Sequence, residues 1–144
     1  MRFFFYGTLL DRDVTAIVLG RRLPPQAYLA ASLPGHARRR AKDATYPVVV
    51  PDPCEEVEGA IVGGLSRRDV ARLAGYEGPG YRIAPLRVKV AGILTTVSVF
   101  EPIQARLQPS NDLWDLGLWQ RRHKRPFVGW LRKALNERLA YSTT

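Results

Sequence analysis

Residues 3–9 read Phe-Phe-Phe-Tyr-Gly-Thr-Leu, and residues 76–81 read Tyr-Glu-Gly-Pro-Gly-Tyr. In the first stretch, the consecutive aromatic side chains favour a buried strand over residues 2–6, which Gly7-Thr8 interrupts. In the second, Gly78-Pro79-Gly80 combines rigid and flexible residues and predicts a turn. Both stretches place aromatic residues directly beside a glycine-containing turn, which distinguishes them from the rest of the chain.

Mainly strands are predicted between the two stretches. Asp11 can cap a short helix over residues 11–19, and Gly20 can end it. Turn-forming and β-prone residues then alternate along the chain. The predicted strands cover residues 26–33 and 36–41 about a Pro34-Gly35 turn, residues 46–50 closed by a Pro51-Asp52-Pro53 loop, and residues 57–65.

A helix precedes the second stretch, and a hairpin follows it. Ser66-Arg67-Arg68-Asp69 resembles a capping box, with Asp in place of the usual Glu, and opens the helix. Residues 81–90 alternate apolar with charged side chains. They are predicted to pair with residues 93–100 as a hairpin across Ala91-Gly92.

The chain changes character after Pro102. Residues 111–123 and 126–140 are predicted to form two helices, the second with one apolar stripe. Three tryptophans are expected to pack these helices on the body of the protein: Trp114, Trp119 and Trp130. Residues 102–144 are therefore predicted to be a helical C-terminal extension of a mainly β body.

The composition is typical of one globular domain, which we expect to span residues 1–144. Hydrophobic residues make up 46% and charged residues 24% of the 144 residues, which argues against disorder. Cys54 is the one cysteine, so no internal disulfide forms, in keeping with a reducing compartment. The apolar run of residues 3–10 is too short for a signal peptide, and no run approaches the ~20 residues of a membrane span. We expect a cytoplasmic protein without membrane association.

The net charge of the chain is unusually positive. There are 22 basic and 13 acidic residues, for a net charge of +9, and such a surface attracts polyanions. The run of residues 121–125, Arg-Arg-His-Lys-Arg, fits either a nucleic-acid contact or a solvated helix junction. A basic binding module for nucleic acid or another anionic ligand is therefore one alternative for the function.

The two stretches resemble the γ-glutamylcyclotransferase-like family, which includes the γ-glutamylamine cyclotransferases and AIG2-like proteins. The shared residues are the Tyr6-Gly7-Thr8-Leu9 loop after a first strand, and Glu77, Gly78 and Tyr81 after a short helix. The resemblance covers about residues 2–100. It implies an α+β fold with a mixed β-barrel of about five to seven strands and short flanking helices.

The resemblance also implies an enzyme. The α-amine of a γ-glutamyl group attacks its own γ-carbonyl and releases 5-oxoproline with a free amine or amino acid. Glu77 would be the acid–base residue, the loop of Tyr6, Gly7, Thr8 and Leu9 would bind the glutamyl portion, and Tyr81 would orient substrate or Glu77. The expected partner is a small γ-glutamyl substrate, with no metal and no organic cofactor.

Physical chemistry is consistent with these roles. An α-amine has a pKa of about 7.7–8.0 and must lose a proton to attack, which a carboxylate can accept. An ordinary glutamate has a pKa of about 4.3, so partial burial of Glu77 should raise it. Gly7 would let backbone N–H groups approach the glutamyl carboxylate or the developing oxyanion.

Structural alternatives exist for several of these residues, and Gly7 could be only a turn glycine. Glu77 could be a solvated residue at a helix end, and Tyr6 and Tyr81 could be core aromatics with hydroxyls at the surface. His36 and His123 are isolated in the sequence, so neither a catalytic triad nor a metal site is expected. The C-terminal helices could close over the site, form a dimer interface or cap an open edge.

Overall fold

The computed structural model describes residues 1–103 and 107–142, and in this part six strands and four helices are found. The strands are β1 (Phe3–Phe5), β2 (Tyr28–Ala41), β3 (Pro47–Val62), β4 (Tyr81–Val90), β5 (Ile93–Pro102) and β6 (Pro109–Leu113). The helices are α1 (Arg12–Leu19), α2 (Arg67–Glu77), α3 (Leu116–Arg122) and α4 (Lys124–Ser142). Two 3₁₀ turns, Thr8–Leu10 and Pro25–Ala27, follow β1 and precede β2.

The strands form one mixed sheet, and the pairing between five of them closes into a ring. β1 lies between β3, which runs antiparallel to it, and β5, which runs parallel. β5 pairs with β4, β4 meets β2 at Ser32 and Lys89, and β2 pairs with β3. These five strands form a ring, and β6 pairs with β2 beside it. The predicted α+β class is confirmed, and the strand number in the described residues lies within the expected range.

β1 contributes to two hydrophobic cores because its side chains alternate between the faces of the sheet. Phe3 and Phe5 pack with residues of the helices, among them Trp119. Phe4 and Tyr6 pack with aliphatic side chains from β2, β3, β4 and β5, so this second core fills the ring. All four aromatic side chains of this run are at most 6% exposed, which confirms the predicted buried first strand.

The first two helices begin where the sequence predicts. The Asp11 carboxylate accepts hydrogen bonds from two backbone N–H groups in the first turn of α1, and Gly20 ends this helix with a left-handed φ of 72°. Ser66 and Asp69 form the predicted capping box of α2, with both of its hydrogen bonds present. Such caps each stabilise a helix by about 1 kcal/mol. They set the start of α2, whose last residue is Glu77.

The predicted turn at Pro34-Gly35 is wrong, because one strand continues through it. The strands predicted at residues 26–33 and 36–41 are both part of β2. Gly35 has a φ of 75° and lies where the register of β2 against β3 shifts. Glycine and proline are both tolerated in a strand at such a bulge, and the long pairing with β3 overrides the local tendency to turn.

The predicted loop at Pro51-Asp52-Pro53 is wrong for a related reason. It lies inside β3, which joins the strands predicted at residues 46–50 and 57–65. The register places residues 52–55 of β3 opposite the single residue Gly35 of β2, so the extra residues of the bulge are in β3. The segment therefore interrupts the pairing without ending the strand.

The C-terminal part begins with a strand that the sequence did not reveal. The helix predicted at residues 111–123 is wrong in its first part, because Leu113 pairs with Arg39 and the chain forms β6. Asp115 then caps α3 by accepting a hydrogen bond of 2.8 Å from the Leu118 N–H. The second predicted helix is confirmed as α4, although it begins two residues earlier, at Lys124.

Replacing Gly59 is expected to destabilise the fold because β3 lies against β1 at this residue. A Cβ atom on Gly59 would overlap the Phe5 carbonyl oxygen and lie 2.7 Å from Cζ of Phe4. We expect Gly59→Ala to lose about 1–3 kcal/mol of unfolding free energy, measured by urea denaturation. Gly63→Ala is the matched control, since the nearest atom to its Cβ would be Arg2 Cγ at 3.9 Å. Equal stability of the two variants would contradict the close approach.

Candidate active site

A cavity of about 350 Å³ lies where β1 ends and α2 ends. This volume lies at the small end of the range found for ligand pockets. Its walls come from the 3₁₀ turn after β1, the start of β3, the end of α2, the start of β4, and α4. The described residues that line it are Tyr6, Gly7, Thr8, Tyr46, Pro47, Tyr76, Glu77, Gly80, Tyr81, Leu107, Phe127 and Trp130.

Glu77 is the one carboxylate among these lining residues. It is partly buried, and it forms no ion pair with any cation of residues 1–103 and 107–142. Burial raises the pKa of Glu77 to about 8, since an uncompensated carboxylate is disfavoured away from water. Its carboxyl group can therefore both accept and donate a proton near neutral pH, which an exposed glutamate does poorly.

Four tyrosines line the cavity together with Glu77, and the hydroxyl groups of three of them form hydrogen bonds within the protein. The Tyr6 hydroxyl donates to the Phe100 carbonyl at 2.7 Å, and the Tyr81 hydroxyl donates to the Pro47 carbonyl at 3.3 Å. The Tyr76 hydroxyl shares a 2.7 Å hydrogen bond with Thr8 Oγ1. Burial raises the pKa of all three phenols, with a smaller contribution from the Glu77 charge. They therefore stay protonated at neutral pH and act as walls and donors rather than bases.

The turn after β1 contains unpaired backbone N–H groups, and its residues Gly7 and Thr8 line the same cavity as Glu77. Leu10 N–H bonds to the Gly7 carbonyl as the first hydrogen bond of the 3₁₀ turn, so the N–H groups of Gly7, Thr8 and Leu9 have no acceptor within the turn. None of the three has another acceptor in the described part of the chain. A Cβ on Gly7 would lie 2.9 Å from Pro47 Cγ, which explains why glycine occupies this position.

The structure brings together most of the site residues predicted from the sequence. Tyr6, Gly7, Thr8, Glu77 and Tyr81 all line the cavity, although they are up to 75 residues apart in the chain. The Leu9 side chain does not line it, because it is 3% exposed and packs in the core between sheet and helices. Leu9 can therefore reach the cavity only through its backbone.

Sequence reasoning left the role of the C-terminal helices open, and it did not identify the residues of α4 that line the cavity. Phe127 lies edge-on to Tyr76, with 6.3 Å between ring centroids, and 5.8 Å from Trp130. Trp130 was expected to pack against the body, but it is 61% exposed and lines the cavity, whereas Trp114 and Trp119 are buried as predicted. The apolar stripe of α4 was visible in the sequence, but a stripe fits core packing as well as a cavity wall.

The other candidate groups lie elsewhere. His36 is in β2, with Nδ1 3.0 Å from the Pro34 carbonyl oxygen, and His123 ends α3. In the described residues, no group of three or more histidine, cysteine, aspartate or glutamate side chains could hold a metal ion. Within the basic run of residues 121–125, Lys124 is paired with Asp13 at 2.7 Å.

The structure has a mixed α+β fold with a cavity lined by one partly buried carboxyl group, whose pKa is raised. The model of the family described as Gamma-glutamyl cyclotransferase, AIG2-like matches residues 3–121, and the chain belongs to this family. The resemblance seen in the two sequence stretches is thereby confirmed. The match includes the Gly7 turn and Glu77, and it ends before α4.

Individual relatives agree with this assignment. AIG2-like protein A of Arabidopsis thaliana is 29% identical over 138 residues, covering 92% of this chain and 79% of the relative. A solution structure of another Arabidopsis thaliana protein aligns with a TM-score of 0.64 at 27% identity, covering 95% of this chain and 91% of that one. A structure named Gamma-glutamyl cyclotransferase aligns with a TM-score of 0.58 at 15% identity, over 91% and 85% of the two chains, which supports the shared fold. Among the described helices, none is long and apolar enough to cross a membrane.

Glu77→Gln is expected to stabilise the protein at alkaline pH. Because burial raises the folded-state pKa of Glu77 to about 8, the folded protein binds a proton here that the unfolded chain has already lost, and wild-type stability falls as the pH rises from about 4.5 to 8. Glutamine lacks this titration. Allowing for the partly exposed carboxyl, we expect the variant to gain about 2–4 kcal/mol over wild type at pH 8.5 and nothing at pH 4.5, measured by urea denaturation.

Glu55, one of three exposed glutamates in β3, gives the control for this prediction. Glu55→Gln removes the same charge at an exposed position and is measured by urea denaturation at the same two pH values. A pH dependence of the Glu77→Gln effect no larger than that of Glu55→Gln would mean that the Glu77 pKa is not raised.

Proposed function

We propose that the protein is a γ-glutamyl cyclotransferase that converts a γ-glutamyl amine or γ-glutamyl peptide to 5-oxoproline and a free amine or amino acid. The observation that carries this proposal is the placement of Glu77, with its raised pKa, in one cavity with the unpaired N–H groups of the Gly7 turn. Membership of the Gamma-glutamyl cyclotransferase, AIG2-like family supports it.

The reaction begins with a proton transfer to Glu77. The Glu77 carboxylate takes a proton from the α-ammonium of the substrate, whose pKa of about 7.7–8.0 is close to that of the buried carboxyl. Matched pKa values keep the transfer near balance in both directions, which suits a group that must later return the proton. The neutral amine then attacks the γ-carbonyl carbon and closes the five-membered ring.

The tetrahedral intermediate collapses with the help of the same residue. The bond between the γ-carbon and the leaving nitrogen breaks as Glu77 donates a proton to that nitrogen. The ring nitrogen gives up its extra proton to the Glu77 carboxylate, from which it passes to the released amine. The N–H groups of Gly7, Thr8 and Leu9 can stabilise the oxyanion or hold the glutamyl carboxylate, and a well-placed donor contributes about 100- to 1000-fold to the rate of such reactions.

The cavity supplies the geometry that ring closure needs. A free γ-glutamyl chain is flexible, and its amine is seldom close to its own γ-carbonyl. The rings of Tyr6, Tyr76 and Tyr81 and the residues of α4 enclose a space of about 350 Å³, which favours a folded substrate over an extended one. Positioning of this kind can lower a barrier by about 7–11 kcal/mol.

Release of 5-oxoproline tests the proposal. Wild-type protein is incubated with a panel of γ-glutamyl amines and γ-glutamyl amino acids, and Glu77→Gln is compared on each substrate that is turned over. We expect the variant to lose about 100-fold or more of kcat/KM because no other described lining residue can exchange the proton. Glu55 is exposed and does not line the cavity, so Glu55→Gln should keep wild-type activity.

The outcomes separate the candidate functions. Full activity in a folded Glu77→Gln protein would mean that another group performs the proton transfer. No release from any substrate would contradict the cyclotransferase and favour the basic binding module, for which the net charge of +9 is the supporting feature. A salt-titrated gel shift would then test that module, since binding to phosphates weakens steeply with salt.

The pH dependence provides a separate prediction. Since Glu77 must be ionised to accept the proton, kcat/KM should fall as the pH drops below about 8, by about tenfold per pH unit well below the pKa. The alkaline side should follow the α-amine of the substrate. A rate constant that is level between pH 6 and pH 8 would contradict the assignment of Glu77 as the base.

A further inference from the structure

Arg38 in β2 is a partly buried cation that contacts the backbone just before Gly7. Its Nη1 atom donates hydrogen bonds to the Tyr6 carbonyl oxygen at 2.9 Å and to the Glu58 carbonyl oxygen at 3.1 Å. Its guanidinium carbon lies 5.2 Å from the centroid of the Trp114 ring. Arg38 does not line the cavity, so it contacts the backbone of the turn without entering the substrate space.

The charge of Arg38 is poorly compensated. No carboxylate of the described residues forms an ion pair with it, and its Nε atom is buried without a hydrogen-bond partner in the same part of the chain. Burial lowers the pKa of the guanidinium, although the carboxylates of Asp115 and Glu58 oppose this from a distance. A partly buried cation that is held by carbonyl groups and has one buried, unpaired nitrogen gains little stability from its contacts, so its position points to a role beyond stabilisation.

Peptide geometry connects Arg38 to the substrate space. The peptide bond between Tyr6 and Gly7 is trans, and in a trans peptide the carbonyl and the N–H point in opposite directions. Because the Tyr6 carbonyl points to Arg38, the Gly7 N–H points away from Arg38, and Gly7 itself lines the cavity. This N–H has no acceptor in the described part of the chain.

We infer that Arg38 is a positioning residue for the proposed reaction, which fixes the Tyr6–Gly7 peptide and makes the Gly7 N–H a stronger donor to the substrate anion. The inference rests on the proposed cyclotransferase function. Two effects act in the same direction. The hydrogen bond prevents the peptide from rotating, and a cation on the carbonyl side polarises the peptide so that its N–H carries more positive charge.

The test compares Arg38→Ala with Arg39→Ala. Arg39 is the next residue of β2, and its Nη1 donates to the Asn111 carbonyl at 3.1 Å on an exposed surface. The Arg39→Ala substitution therefore removes an arginine without affecting the turn. We expect Arg38→Ala to lose about 10- to 100-fold of kcat/KM for 5-oxoproline release, the range for hydrogen bonds to charged groups. Arg39→Ala should stay within about twofold of wild type.

Chemical rescue distinguishes positioning from a purely structural role. Removing the side chain leaves a space beside Trp114, and guanidinium chloride at non-denaturing concentration should restore part of the lost kcat/KM of Arg38→Ala. Equal concentrations of sodium chloride should not. A loss that guanidinium fails to restore would show that Arg38 supports only the fold and would overturn the inference, as would activity equal to that of Arg39→Ala.

A milder variant covers the case in which Arg38→Ala does not fold. Arg38→Gln keeps a neutral donor and most of the side-chain length, and we expect it to lose about tenfold of kcat/KM with an unchanged Tm, because the charge is gone. Wild-type kcat/KM in Arg38→Gln would overturn the inference. Wild-type protein that turns over no γ-glutamyl substrate would instead contradict the proposed function itself.

Discussion

Strand β1 is hydrogen-bonded along both edges and buried on both faces, and the position of the site depends on this confinement. β3 and β5 hold its backbone, and each buried aromatic side chain stabilises the fold by about 1.5–3 kcal/mol. β3 approaches so closely that Gly59 has no space for a side chain. The turn at Gly7 therefore leaves the sheet from a rigid point, and a short strand of three residues suffices to place the backbone donors.

Glu77 differs from the ion-paired carboxylates Asp13 and Asp69 in its surroundings. Lys124 and Arg22 hold the pKa of Asp13 at about 2, and Asp69 is held below its usual pKa by Arg21 and the α2 cap. Such carboxylates are ionised at any physiological pH and serve as structural groups. Glu77 has no such partner among the described residues, so burial dominates and moves its pKa in the opposite direction. In a chain with a net charge of +9, keeping cations away from one carboxylate is what preserves its ability to exchange protons.

Local signals in the sequence were sufficient for several elements and insufficient for others. The caps at Asp11 and at Ser66 with Asp69 depend on residues three positions apart or fewer, so the sequence alone predicted both helix starts. The turn predicted at Pro34-Gly35 failed because a long pairing between β2 and β3 outweighs local turn chemistry. β6 was missed because its residues are polar and exposed, and only the edge of β2 makes them a strand.

The sequence by itself determined the first buried strand, the glycine turn and the start of the helix before Glu77. These follow from short-range chemistry: aromatic β-propensity, helix capping, and the conformational freedom of glycine. The family was recognised separately, from the resemblance of two short motifs. Only the tertiary structure decided that α4 closes one side of the cavity, that Trp130 stays exposed there, and that Arg38 reaches the Tyr6 carbonyl. Those contacts join residues at least 30 positions apart, and no local pattern encodes them. They arise because the chain folds back to bury its apolar surface, and the side chains that meet are set by the packing of whole elements.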